Sequence, residues 1–406
     1  MPTRSKFTIL KQVMEQIPSY LISKLARKHG VDKQSRAITP GSHVTSMVYA
    51  QIAHSLSLND VCDSLHHHSG ALATVRGAKP PSRNGLSHAN RMRNADMAED
   101  LFWETLADFQ RRAPKFGMGR NYCGFPHRFK RVINVVDSTT IRLVAHCMDW
   151  AKHRRRKAAA KCHMRLDLQT FLPRFAVVKP AKSHDAVEAV ALCAAMQAGE
   201  IAIFDKAYVD FAHLNALHQR GVFWVTRAKE NMVYDVIKKR KRSRSIHLDA
   251  IIRLKTHYSA KDYPETLRLV VATVQVDGQE MKMTFISNNM DWSASSICDL
   301  YKGRWGVEVF FKQLKQTLQL ADFLGHNENA VRWQIWTALL TYVILRFISY
   351  LSQWKGSFAR LFTAIRGVLW NRFDLYALLE QCCGTAQQRF RMQARPDQLY
   401  IPGFGV

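Results

Sequence analysis

Residues 301–320, YKGRWGVEVFFKQLKQTLQL, carry a dense set of side chains able to do chemistry. Read as a helix turning about 100° per residue, they place Tyr301, Arg304, Glu308 and Lys315 within about 60° of one another. Val307, Phe310, Phe311, Leu314 and Leu318 fill the adjoining arc, wide enough to be buried. One carboxylate thus stands among an arginine, a lysine and a phenol. A solvated row of i, i+4 ion pairs would look the same. Upstream, Asp137 closes the β-branched run RVINVVD and is followed by the hydroxyls of Ser138, Thr139 and Thr140, while Asp205 closes IAIFD. Asp149, Asp167, Asp185 and Asp210 are competitors of the same type. If the fold gathers Asp137, Asp205 and Glu308, they form a hard-oxygen site for Mg²⁺ or Mn²⁺. Without metal they would repel and raise one another's pKa. Two such ions about 3.5–4 Å apart can bind the attacking and leaving oxygens of an in-line phosphoryl displacement, activating a water or a 3′-hydroxyl. Arg304 and Lys315 would then hold nucleic-acid phosphates, and Tyr301 phosphate or sugar.

Composition narrows the setting. The chain has 406 residues, 47% of them hydrophobic, enough for two or three domains with a sizeable core. Its 59 Lys+Arg against 32 Asp+Glu give a net charge of +27, which calls for a polyanionic partner, nucleic acid first and an anionic membrane surface second. The start MPTRSKFTILKQVMEQ lacks the continuous apolar stretch of a secretory signal. The apolar run IWTALLTYVIL, 335–345, is too short to span a bilayer before Arg346 and reads as a core helix. The eight cysteines are scattered with no CxxC pair, which reads as reduced thiols in a cytoplasmic, nucleoid-associated protein. Cys123 with His127, and Cys162 with His163, lack partners at zinc spacing, and the adjacent His66, His67 and His68 point in different directions.

The elements that must position these residues fall in four parts. Residues 1–125 read as a helical DNA-binding domain, with amphipathic spacing at 7–28 (Pro18 a break or kink), 42–56, 58–67 (capped by Ser57 or Asn59) and 96–112. Between the last two lies the basic stretch RGAKPPSRNGLSHANRMR, read as a turn and short recognition helix. It offers Arg83, His88 and Arg91, with Asn84, Asn90 and Arg93, to DNA. Residues 126–228 and 291–352 read as an α/β catalytic domain: a strand ending at Asp137, a hairpin of 163–168 and 174–178, a helix from near His184 to Gly199, a strand ending at Asp205, a helix closed by Gly221, and a strand at 222–226. Strand ends that open onto a helical layer are where α/β folds place their chemistry. Residues 229–290 read as a β-rich insertion with an exposed charge block, KKRKRSRS, and an Asp277-Gly278 hairpin turn. Residues 353–406 read as a C-terminal helical tail.

VVDSTT, FDKAYVDF and the pattern Tyr301-x2-Arg304-x3-Glu308-x6-Lys315 resemble the DDE transposases of bacterial insertion sequences, in the insertion-sequence-four group with its Tyr-Arg-Glu-Lys signature. RLDLQTFLPRF, LYKGRWGVEVFFKQLKQTLQLADFLGHNENAV and the N-terminal SKLARKHGVDKQSRAITPGSHVTSMVYAQIA are similar to that group as well. The resemblance implies a ribonuclease H-like core with a β-strand insertion between the second aspartate and the glutamate. It implies Asp137, Asp205 and Glu308 as the metal-binding triad. It also implies cleavage at inverted-repeat ends and 3′-hydroxyl transfer to target DNA, by a homodimer in the synaptic complex. Better-studied members pass through a DNA hairpin and stack a flipped base on a tryptophan of the insertion; here KMTFISN offers Phe285, with Trp292 and Trp305 nearby. A metal-dependent nuclease on the same fold is the rival enzyme, and a non-catalytic, transposase-derived DNA-binding protein the rival outside enzymes.

Overall fold

A computed structural model describes residues 3–33, 38–117, 129–143, 152–154, 157–180, 185–241, 246–276, 279–318 and 323–387. The Asp277-Gly278 turn, Cys123, His127, Asp149 and the end of the charge block lie outside the described residues.

The N-terminal part is helical: α1 (Ile9–Met14), α2 (Leu21–Lys28), α3 (Pro40–Ala53), α4 (Leu58–His67), α5 (Ser69–Ala73), α6 (Arg83–Met92) and α7 (Asp96–Arg112). Pro18 falls in the gap between α1 and α2, since its ring removes a donor from the helical ladder. Side-chain caps set the other starts. Thr39 accepts from Ser42 N–H ahead of α3, Ser57 and Asp60 form a capping box on α4, and Ser82 accepts from Gly85 N–H at α6.

The chain then builds a sheet from β1 (Ile133–Leu143), β2 (Lys152–Arg154), β3 (Lys157–Asp167) and β4 (Leu172–Pro180). Next come α8 (Asp185–Cys193), β5 (Ile201–Phe204), α9 (Phe211–Gln219) and β6 (Phe223–Arg227). Helix α8 ends at Cys193, six residues before the expected stop at Gly199. The five main strands lie in the order β4-β3-β1-β5-β6; β3 runs antiparallel to β1, and β5 and β6 run parallel to it. That order, with the second strand alone reversed, is the ribonuclease H-like arrangement.

The insertion comprises β7 (Tyr234–Lys239), β8 (Ile246–Leu254), α10 (His257–Asp262), β9 (Leu267–Val276) and β10 (Gln279–Ser287). It does not stand apart: β10 pairs antiparallel with β6, so the same sheet continues outward as β10-β9-β8-β7. The chain returns through α11 (Ala294–Lys302) and α12 (Trp305–Lys312), with a π-helical turn at Gln313–Thr317. It ends in α13 (Glu328–Leu351), α14 (Phe358–Arg366) and α15 (Leu375–Gln387). Helix α13 is long and apolar enough to cross a bilayer by composition, but 78% of its most apolar window is enclosed by the fold.

Strand alternation sorts the two sheet faces. Ile133, Val135, Ile201, Ile203, Val225 and Phe285 join a core shared with α1–α4, α7 and α11–α15. Val136, Ala202, Phe204, Trp224 and Ile286 join a second core under α8 and α9.

Candidate active site

The same alternation places the acids. Val136 pairs with Phe204 in the parallel β1–β5 register, so Asp137 and Asp205 are the next residues on neighbouring strands. Counting by twos from Ile133 and Ile201, both aspartates fall on the face that α11 and α12 cover. β1 itself does not stop at Asp137; it runs on to Leu143 paired with β3, so Asp137 marks where β5 ends beside it.

Glu308 comes from above. Residues 301–320 are not one helix, contrary to the periodicity: α11 stops at Lys302 and α12 starts at Trp305. The joint is a tight turn closed by i→i−3 bonds, Gly303 N to Leu300 O (3.0 Å) and Arg304 N to Tyr301 O (3.0 Å). The apolar arc is nevertheless buried as expected, with Val307, Phe310, Phe311, Leu314 and Leu318 all enclosed. Gly306 lets α12 settle on the β3–β4 turn: a Cβ there would stand 2.5 Å from Leu168 Cδ1.

The polar residues of the stripe bind the acids together. Arg304 Nη1 donates to Asp137 Oδ2 at 3.0 Å, and Nη2 to Glu308 Oε1 at 2.6 Å. The Tyr301 hydroxyl donates to Asp205 Oδ1 at 3.3 Å. Lys315 Nζ donates to the Thr140 carbonyl on β1 at 2.8 Å. Tyr301 is buried against Phe285, ring centroids 5.0 Å apart, so its hydroxyl serves Asp205 from inside the fold. Phe285 is fully buried too, leaving no free face to stack a base. Trp292 is half-buried and packs on Phe129 and Phe223.

Burial pushes Asp137 up to about 6; the Ser138 N–H and Arg304 oppose the shift, while Asp205 and Glu308 add to it. Tyr301 is pushed up to about 12, chiefly by burial. Two of the four competing aspartates, Asp167 and Asp210, are committed elsewhere. Asp167 is buried and pairs with Arg174 Nη2 at 2.6 Å, and Asp210 caps α9. An open cleft of about 470 Å³ begins at Asp205 and is walled by Lys206, Lys229 and Glu230.

The predicted N-terminal contacts divide. Arg83, His88 and Arg91 are exposed on α6. Arg83 and Arg91 line a cleft of about 740 Å³ closed on the far side by Phe323–Asn327, the segment leading into α13; His88 does not line it. Asn90 and Arg93, offered to DNA by the sequence reading, are turned inward: Asn90 Oδ1 lies 2.7 Å from His43 Nε2, and Arg93 bonds the carbonyls of Ile38 and Thr39. The cleft's far wall was not legible, since it joins residues more than two hundred positions apart in the chain.

A family profile described as "Transposase DDE domain" matches residues 128–344, and one described as "Domain of unknown function (DUF4372)" matches residues 5–75. A Sinorhizobium fredii protein described as a transposase, y4zB, is 29% identical over 304 residues, covering 73% of this chain and 80% of its own. A Geobacillus stearothermophilus transposase for insertion sequence element IS5377 is 30% identical over 226 residues, covering 54% and 58%. The Escherichia coli transposase InsG of IS4 is 25% identical over 156 residues, covering 36% and 34%. Among solved structures, a piggyBac transposase in a synaptic complex with hairpin DNA is matched at TM-score 0.42 and 11% identity, covering 94% of this chain and 80% of that one. The chain belongs to the DDE transposase family. Within it the chain falls in the insertion-sequence-four group, enzymes that cleave DNA and transfer its strands.

Proposed function

We propose that this transposase works by cut-and-paste, with Asp137, Asp205 and Glu308 as its catalytic acids. The observation that carries the reading is the register: two aspartates level on adjacent parallel strands, with Glu308 tied to Asp137 through one guanidinium. The donor set fits Mg²⁺ or Mn²⁺, being all carboxylate; burial first, and Asp205 and Glu308 to a smaller extent, raise Asp137, and a bound cation would oppose that shift. Two such ions, when bound, would supply Lewis acidity to the attacking and leaving oxygens.

The chain's own residues do the rest. The acids hold the reacting phosphate's surroundings in place from a rigid sheet and a packed helix. Tyr301 fixes the Asp205 carboxylate by donating to it, and Lys315 braces the turn after α12 against β1. Duplex DNA lies along the open cleft beside Asp205, with Lys206 and Lys229 on its walls. Arg83 and Arg91 grip a second stretch of backbone in the α6 cleft, and His88 meets DNA outside it. Two chains, each on one inverted-repeat end, form the synaptic homodimer, acting in the cytoplasm on chromosomal DNA. A first strand is hydrolysed at the 3′ end of the element, and the freed 3′-hydroxyl attacks a target phosphate directly.

Glu308→Gln tests this. The variant should bind a duplex of the terminal repeat as the wild type does and cut it at no measurable rate. Full Mg²⁺-dependent cutting by that variant would remove Glu308 from the chemistry. A joined product from end-bearing DNA and a target plasmid separates a transposase from a plain nuclease.

A further inference from the structure

We infer that Arg304 is the resident counter-ion of the acid cluster, and must release Asp137 and Glu308 before their oxygens can hold a divalent cation. Metal affinity is thereby tied to the arrival of DNA phosphate. This rests on the reading that these acids are metal ligands, and adds a role for Arg304 as a positioning residue.

The geometry supports a competition. Arg304 takes Asp137 Oδ2 and Glu308 Oε1, one from β1 and one from α12, with the two ends of one guanidinium. A cation that takes Asp137 Oδ2 and Glu308 Oε1 as ligands, at about 2.0–2.1 Å for Mg²⁺, needs the place the guanidinium now holds. Among the described residues no three acidic, histidine or cysteine groups yet stand around a common point as ligands would. Arginine cannot escape the conflict by losing its proton, so it must move.

It has somewhere to go. Arg304 Nε is buried with no acceptor among the described residues, so the fork is not saturated where it sits. One end is held in the enclosed Asp137 pocket, while Glu308 is 53% exposed at the other, and the group can swing from that outer end. A phosphate arriving there offers two non-bridging oxygens that the planar guanidinium fork can bond together. By linkage, whatever factor DNA adds to metal affinity, metal adds to DNA affinity.

Mn²⁺ binding to the full-length protein reads this directly, by electron paramagnetic resonance of the free ion. It is measured alone and with a duplex of the terminal repeat, after subtracting ions held by the duplex. Couplings of this kind run from about 5-fold to about 150-fold. The wild type should bind Mn²⁺ about tenfold tighter with the duplex. Arg304→Ala should bind it about tenfold tighter than wild type without DNA, and gain less than about twofold from the duplex. A purely structural role for Arg304 predicts the opposite sign, with weaker metal binding in the variant. Unchanged or weaker Mn²⁺ binding by Arg304→Ala, or an equal duplex gain in both proteins, overturns the inference. Should the alanine variant not fold, Arg304→Gln replaces it, and a wild type whose Mn²⁺ affinity ignores the duplex is by itself a refutation. Mn²⁺ binding that ignores Arg304 sinks this inference alone. Absence of Mn²⁺ binding in every form, with DNA or without, sinks the metal reading of the acids as well.

Discussion

Arg268 and Arg304 both fork onto carboxylates, and they do so under opposite conditions. Arg268 on β9 meets Asp249 on β8 through Nε at 2.9 Å and Nη2 at 2.8 Å, and its Nη1 donates to the carbonyls of Met290 and Trp292. Both side chains are sealed, at 2% and 3% exposure. Each guanidinium nitrogen has an acceptor and the charges balance one to one. Arg304 faces an excess of acid instead, has no acceptor for Nε among the described residues, and shares its fork between an enclosed carboxylate and an exposed one. The saturated pair pins the outer sheet to the segment that leads into α11. The unsaturated one sits among the acids proposed to bind metal, where ligands would exchange. Completeness of hydrogen bonding therefore separates a structural ion pair from a working one more clearly than the residue types do.

The largest expected effect comes from breaking the saturated pair. Arg268→Ala strands Asp249 in a dry interior and should lower stability by about 3–5 kcal/mol, read from urea or thermal unfolding. A loss under about 1 kcal/mol would put the two pairs in one class.

Asp137→Asn should move stability the other way. The folded-state pKa of Asp137 is raised from 3.8 to about 6, so the folded chain holds this proton more tightly than the unfolded one. Wild-type stability therefore falls as pH climbs from about 4 to about 6, and stays lowered above that. Asparagine removes the penalty, worth on the order of 3 kcal/mol at pH 7 and close to nothing at pH 4, while abolishing cleavage. A variant less stable than wild type at pH 7 would mean that the Arg304 contact outweighs the burial of the acid.

The smallest change in stability belongs to Arg304→Ala, about 1 kcal/mol at pH 7. Asp137 already lies near neutrality and can take up a proton when its partner goes, and Glu308 is rehydrated. Unfolding midpoints of Arg304→Ala and Arg268→Ala, measured side by side, put a number on the contrast.

Much of this was legible beforehand because it is written in local pattern. Asp137 and Asp205 ended apolar runs, Ser57 was one of the two caps offered for α4, and α7 was read with both ends correct, at Asp96 and Arg112. The spacing of Tyr301, Arg304, Glu308 and Lys315 pointed to one site although the helix carrying it breaks at Gly303. Three residues of a tight turn advance the chain almost as a helix does, so the periodicity survives the interruption. Other features left no local mark. Asn90 and Arg93 look as fit for DNA as Arg83 and Arg91, and only the packing of α6 on α3 and α13 turned the first two inward. Phe285 reads as an available aromatic until Tyr301 lies across it.

The amino-acid order alone determined which side chains could be acids, cations or core, because type and period are properties of neighbouring residues. It also carried the spacing of Tyr301, Arg304, Glu308 and Lys315 through which the chain resembles that family. Tertiary structure alone decided that the insertion strands lengthen the same sheet, that Tyr301 serves Asp205 from within, and that one guanidinium stands between Asp137 and Glu308. Those outcomes depend on strand register and on the angle at which a helix lands, set by side chains far apart in the chain competing for one interior.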